Sequence, residues 1–198
     1  MAATIDYVLT MKPEWLVRIL SGQKTWELQK TSLGTGAIAL AASGTGHVWG
    51  RAVVSEISRM NACDINASNF GFHGCDAEAF QEYIRKPKGG EYAELQVHKL
   101  ARVVRFNAPV PIKRTPGAII KDSKISAEVR DQLAQAPGVP AITPIDQDAL
   151  LQQMCKIRKP SKGIAEREKQ SSAPSAGSDG TEAELARPQK RRRIEHRR

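Results

Sequence analysis

A break in composition near residue 158 limits what this chain can fold into more than any other feature. From Lys159 to Arg198 no residue is aromatic and few are apolar. Ser171 to Gly180 is built only from Ser, Ala, Gly, Pro and Asp. Such a stretch cannot bury enough apolar surface to offset the entropy of ordering it. A packed core must therefore come from the first 157 or so of the 198 residues, the size of about one domain. The rest is expected to be a disordered tail over 158–198.

Charge breaks at the same place. Residues 156–198 hold 13 Lys/Arg against 6 Asp/Glu, which accounts for +7 of the net +9. The body is nearly neutral, so the high overall pI does not by itself make the folded part a nucleic-acid binder. The tail carries the cluster Lys190, Arg191, Arg192, Arg193. Compact cations on a flexible tether suit the groove of an import receptor or the phosphates of a nucleic acid. This predicts a nuclear location, with the cytoplasm as the alternative.

Several classes drop out. No run approaches 18 apolar residues, so no transmembrane helix and no membrane partner are expected. The N-terminus lacks a basic stretch followed by an apolar one, so no secretory signal is expected. Three cysteines do not make a disulfide framework, and a reducing intracellular compartment fits best. Cys63, His73 and Cys75 lack zinc-ligand spacing, so neither a metal nor a cofactor is expected. No Gly-x-Ser-x-Gly, phosphate loop or dinucleotide fingerprint occurs.

The body reads as short strands with a few helices. Ile5–Met11 alternates loosely, like a strand. Pro13 opens a helix whose apolar face is Trp15, Leu16, Ile19 and Leu20, and Gly22 stops it. Strands are expected over Lys24–Lys30, Ala37–Ala42 and Val48–Ile57. Residues 60–75 read as a loop. Asp76 caps a helix to about Arg85 with Ala77, Phe80, Tyr83 and Ile84 inward. Tyr92–Asn107 is one long or two broken strands, Pro109 and Pro111 bracket a connection, and Gly117–Lys121 is a last strand. Helices follow over Ser126–Ala136 and from Thr143 to residue 157. The second has Ile145, Ala149, Leu150 and Met154 on one side and either packs on the body or docks a partner. There is no internal repeat and no Rossmann alternation. The expected fold is α+β, a small bent β-barrel with flanking helices. Its divisions are a domain over 1–121, a helical extension over 122–157 and the tail.

Three blocks in the right order resemble the ASCH domain. The first is Leu9 to Glu27, a strand and helix leading into Gly22-Gln-Lys24-Thr-Trp-Glu27, similar to the family's Gly-x-Lys-Thr-x-Glu-x-Arg. The second pairs Ala37–Gly44 with Trp49–Ile57. The third joins Glu91–Leu95, Phe106–Lys113 and Thr115-Pro-Gly117. The resemblance covers roughly 4–121. It implies a PUA-like barrel with a cleft between helices and barrel, and an association with RNA.

Lys24 is the residue around which chemistry can be built. An ammonium is a point charge for a phosphate, and a desolvated one can act as base or nucleophile. On an ideal strand Lys24 shares a face with Trp26, and Glu27 points the other way, so a bulge or bend is needed to join Lys24 to Glu27. The plain alternative is a Lys/Glu pair on a solvated strand. Trp15, Trp26 and Trp49 can each stack on a base or fill the core, and Trp26 is the best stacking candidate beside Lys24. Ser43 and Thr45 follow a buried strand and can line the cleft; Lys12 adds a cation.

Three functions follow. In the first, a non-enzymatic module takes single-stranded RNA or a modified base. Lys12, Lys24, Trp26, Glu27, Ser43 and Thr45 bind it. Glu27 accepts from a base amino group. The second is a hydrolase, either an amidohydrolase or a ribonuclease. Some bacterial ASCH proteins are 4-acetylcytidine amidohydrolases, and the resemblance puts Lys24 at their lysine. The chain departs from them at Glu27, where they have Thr, and has Gln29 where the family usually has Arg. Lys24 would then be catalytic, with Glu56 as proton shuttle. The third is an adaptor for transcription-related proteins, which the coactivator branch of the family suggests.

Overall fold

A computed structural model of the chain describes residues 4–113, 119–121 and 125–157. The Lys190–Arg193 cluster and Thr115-Pro-Gly117 lie outside the described residues. The order is β1 (Ile5–Met11), α1 (Pro13–Leu20), β2 (Trp26–Gln29), β3 (Gly36–Ala42), β4 (His47–Asn61), α2 (Ala62–Ser68) and α3 (Phe70–His73). Then come α4 (Ala77–Ile84), β5 (Glu94–Pro111), β6 (Ile119–Lys121), α5 (Ala127–Gln135), β7 (Gly138–Pro140) and α6 (Gln147–Ile157).

The strands form one mixed sheet in the order β2-β5-β4-β3-β1-β6, with β7 added on β5. Among the described residues only β1 and β3 run parallel. The 18-residue β5 pairs along β4 and also holds β2 near one end and β7 further on. Between β4 and β5 the register shifts at Val48/Gly50, Arg51/Val53 and Val54/Glu56. Arg102, in the matching part of β5, has φ of 50°. Bulges of this kind bend and twist a strand pair, and they curl the sheet into a half-barrel with helices on its flanks. The fold is α+β and PUA-like.

The loose alternation of β1 has a simple cause: both its faces are covered. Tyr7, Leu9 and Met11 meet α1 and α6 in one core with Leu16, Ile19, Leu20, Ile38, Leu40, Leu150 and Met154. Ile5 and Val8 meet α5 in a second core with Ala39, Ala41, Val48, Phe106 and Leu133. A strand buried on two sides reads as a continuous apolar run. Arg51 secures α5 from the sheet, donating to the Ala136 carbonyl at 2.8 Å, where a cation suits a helix C-terminus.

Four local expectations change. Residues 60–75 are not a loop but hold α2 and α3; Ile65 is fully buried there. Their polar Asn and Gly content hid two short helices that pack mainly through tertiary contact. Pro109 and Pro111 lie within β5 rather than in a connection. The last helix starts at Gln147 rather than Thr143, because Asp146 Oδ1 accepts the Ala149 amide at 3.0 Å and caps it. Residues 138–140 form β7, a strand too short to show a period. Helix α6 packs on the body, with Leu150 and Met154 in the main core.

Candidate functional site

The site is assembled around the end of α1. Pro13 sets the first turn, and Leu16, Val17, Ile19 and Leu20 bury one side. The helix ends at Ser21, and Gly22 turns the chain at φ 77°. The Lys24 amide then donates to the Arg18 carbonyl at 2.9 Å, which folds the chain back under its own helix. Lys24 therefore lies before the first residue of β2, and strand alternation does not govern it.

That placement corrects the expected pairing of faces. Lys24 meets Glu27, with Nζ 3.0 Å from Oε2 and the two side chains 4% and 11% exposed. Trp26 faces the other side of β2 and is stacked on Phe72, with ring centroids 4.8 Å apart and planes at 16°. No bulge is needed, since the turn at Gly22 brings Lys24 round. Glu27 is fixed further by Gln29, two residues along on the same face, whose Nε2 donates to Oε1 at 2.9 Å.

These groups open into a cleft of about 460 Å³. Its walls are the start of α1 (Lys12, Trp15), β2 with its flanking Lys24 and Lys30, and α4 (Glu82, Tyr83) with Cys75 two residues before it. The aromatic ring beside Lys24 is that of Trp15: Nζ lies 5.3 Å from its centroid, and the Arg18 guanidinium lies 5.1 Å from it. These are cation–π distances. Arg18 also donates to the Gly74 carbonyl, so helix α1 holds the loop that ends in Cys75. Tyr83 Oη donates to the Leu28 carbonyl at 2.7 Å, and burial pushes its pKa well above the phenol range. Tyr83 thus braces β2 against α4 as a neutral phenol. Burial likewise pushes the Cys75 thiol up, which keeps it protonated and unreactive.

The remaining expected site residues lie elsewhere, apart from Lys12 at the cleft mouth. Ser43 and Thr45 belong to the β3–β4 turn, where Thr45 Oγ1 donates to the Ala42 carbonyl at 2.9 Å and accepts the His47 amide at 3.1 Å. Glu56 pairs with Lys99 at 2.9 Å on the partly exposed sheet surface. Among the described residues the second acid of the cleft is Glu82. Sequence reasoning missed Gln29, Glu82 and Tyr83 as cleft residues and ranked Trp15 below Trp26 for stacking. Gln29 was legible from its two-residue step after Glu27. Trp15 and Tyr83 were read as core, and no local pattern separates a helix face that meets a core from one that meets a cleft.

Two buried histidines flank the site. His98, opposite Glu27 in the β2–β5 register, accepts the Leu33 amide at Nε2 (3.1 Å), and His73 accepts the Cys75 amide at Nδ1 (3.2 Å). Each acceptor nitrogen must be unprotonated. Burial is the main cause lowering both pKa values below the ordinary 6.5. The unfolded chain then binds more protons than the folded one once pH drops through about 6.5, so stability rises with pH across that window and is lost on acidification. The thermal midpoint is expected to fall between about pH 7 and pH 5.5. His98→Gln, which cannot titrate, should flatten that slope in a melting series; an unchanged slope would assign the effect elsewhere.

The fold and cleft define a PUA-like α+β domain with a cleft between its first helix and α4. Comparison with solved structures makes the fold more specific. The chain has an ASCH-type fold, similar to the crystal structure of ASCH from Zymomonas mobilis, with 14% identity and a TM-score of 0.52 over 67% of this chain and 96% of that one. A serine-to-alanine mutant of the same protein aligns at 17% identity, again with a TM-score of 0.52 over 67% of this chain and 96% of the mutant. No family model matches the sequence, and no curated protein matches it. None of the described helices is long and apolar enough to cross a membrane.

Proposed function

We propose that the protein is a nucleic-acid-binding module that takes one base of a single strand, RNA in particular, into the cleft around Lys24. One observation carries the reading. A buried ammonium, fixed by Glu27, stands beside the ring of Trp15 in a cleft of about 460 Å³. A flat ring and a positioned cation are the two elements that hold an unstacked base and its phosphate. Lys24 has donors left over after Glu27 and can give one to a base carbonyl. Gln29 can read an edge. Lys12 and Lys30 at the mouth suit the backbone. A modified base is the finer form of the same proposal. In this assignment Trp15 takes the stacking role.

The test must separate the cleft from the basic tail, which would bind any strand through phosphates. Affinity for a short oligonucleotide is therefore compared with that for its abasic counterpart, using the full chain. Base-dependent affinity is expected to fall roughly tenfold in Trp15→Ala, with phosphate-driven binding retained. A base preference that survives both Trp15→Ala and Lys24→Gln would end the proposal. The cluster Lys190–Arg193 supports a nuclear role through an import receptor. Replacing all four residues by alanine should disperse a fluorescent fusion into the cytoplasm, and continued nuclear accumulation would refute that role.

A further inference from the structure

The sheet face away from Glu27 carries aromatic rings that the cleft does not use. Among the described residues the exposed large apolar side chains are Phe70 at 52%, Phe72 at 48% and Ile142 at 90%. The first two stand together on α3. Phe72 is not adrift, because its ring lies parallel on Trp26, and its carbonyl accepts the Thr25 amide at 2.9 Å. Phe70 packs edge-on against the buried His73 ring at 5.9 Å. Arg18 holds Gly74 just beyond, and the Lys99 ammonium lies 5.9 Å from the Trp26 ring. Exposing two phenylalanines costs solvation, yet this short helix is tied down at both ends in a way that keeps them out. That is how a rigid stacking surface is built: the rings lose little entropy when something flat lies on them.

We infer that Phe72 on Trp26 is a second stacking platform that holds a base next to the one in the cleft. The inference rests on the cleft reading and extends its ligand to at least two nucleotides. Position argues for a nucleic-acid strand rather than a protein. Lys24 and Trp26 are two residues apart in the chain but lie on opposite sides of β2, which ends the sheet, so a strand that rounds that edge meets the cleft and then the platform. The segment between Phe72 and Cys75 joins the two places, with Phe72 on the platform and Cys75 in the cleft wall. The ring planes are nearly parallel, as base stacking requires, and Lys99, paired with Glu56, lies near the Trp26 ring.

An abasic scan of a short oligonucleotide against the full chain tests this. One nucleotide at a time loses its base, so tail binding stays constant. Two adjacent sensitive positions are expected, each worth roughly tenfold in affinity. Phe72→Ala should make one position insensitive, while Trp15→Ala makes the other so. Melting curves confirm that each variant is folded; Phe72→Leu, which keeps apolar bulk without a ring, serves if Phe72→Ala loses stability. A single sensitive position that only Trp15→Ala removes would overturn the platform and leave the cleft reading standing. No sensitive position at all would overturn both. Loss of self-association in Phe70→Ala without any change in the scan would reassign the rings to a protein contact.

Discussion

Replacing Glu27 by alanine is expected to destabilise the protein by about 3 kcal/mol, because it strands the Lys24 ammonium in a nearly water-free position. The pair is buried on both sides, with side chains 4% and 11% exposed. Removing one partner of such a pair costs far more than the pair itself contributes, since the survivor keeps its desolvation penalty and loses its counter-charge. For a chain of this size the thermal midpoint should drop by about 10 °C. Two further variants separate fold from function. Glu27→Gln keeps the shape and one acceptor and should lose less. Lys24→Met combined with Glu27→Leu removes both charges and should recover most of the stability, while base-dependent binding remains lost. A double variant that binds normally would show that the charges are there for structure alone. Calorimetry with the oligonucleotide comparison reads both effects.

Gly50→Ala is expected to cost about 2–3 kcal/mol through overpacking. Gly50 pairs with Arg105 across the bulged β4–β5 ladder. A Cβ there would lie 2.5 Å from the Val104 carbonyl oxygen and 2.6 Å from Leu20 Cδ2. The oxygen belongs to the backbone of a paired strand and cannot step aside without opening the bulge. Leu20 is fully buried at the end of α1, so the strain also reaches the turn that carries Lys24. Gly71→Ala is the control. Nothing lies within 4 Å of a Cβ there, and the residue sits inside α3, so the change should be neutral or slightly stabilising. Denaturant midpoints of the two variants should therefore move apart, and a neutral Gly50→Ala would mean that the sheet bend is softer than its packing implies.

Both effects reach the end of α1 and the turn after it, and that segment shows where sequence reading holds and where it stops. Helix α1 was legible end to end, since Pro13, the apolar spacing and Gly22 are local signals and the structure uses each of them. The central strands β3 and β4 were legible as apolar runs. The ASCH-like order of blocks carried the fold class, which the structural comparison bears out. Helices α2 and α3 were not legible. They are only 7 and 4 residues long, too short for a period to emerge; α2 is held by Ile65, which shares a small core with Leu28, Phe80, Leu95 and Val97, and α3 by the buried His73. Strand β7 is shorter still and owes its place to β5.

The sequence by itself determined what could pack, where the chain must turn and which residue was worth watching. Apolar spacing, glycine, proline and the lone Lys24 motif act through neighbours a few positions away. What lies across the cleft was decided only in three dimensions. Alternation along β2 put Trp26 beside Lys24. A turn and one backbone hydrogen bond to Arg18 rotated the lysine to the opposite side, onto Glu27 and next to Trp15. Trp26 was left for Phe72, 46 residues further along the chain. Strand periodicity fixes side-chain direction only while the backbone remains in the strand. Contacts between distant segments depend on how the whole sheet bends, and that bend is set by bulges distributed over β4 and β5 rather than by any local run of residues.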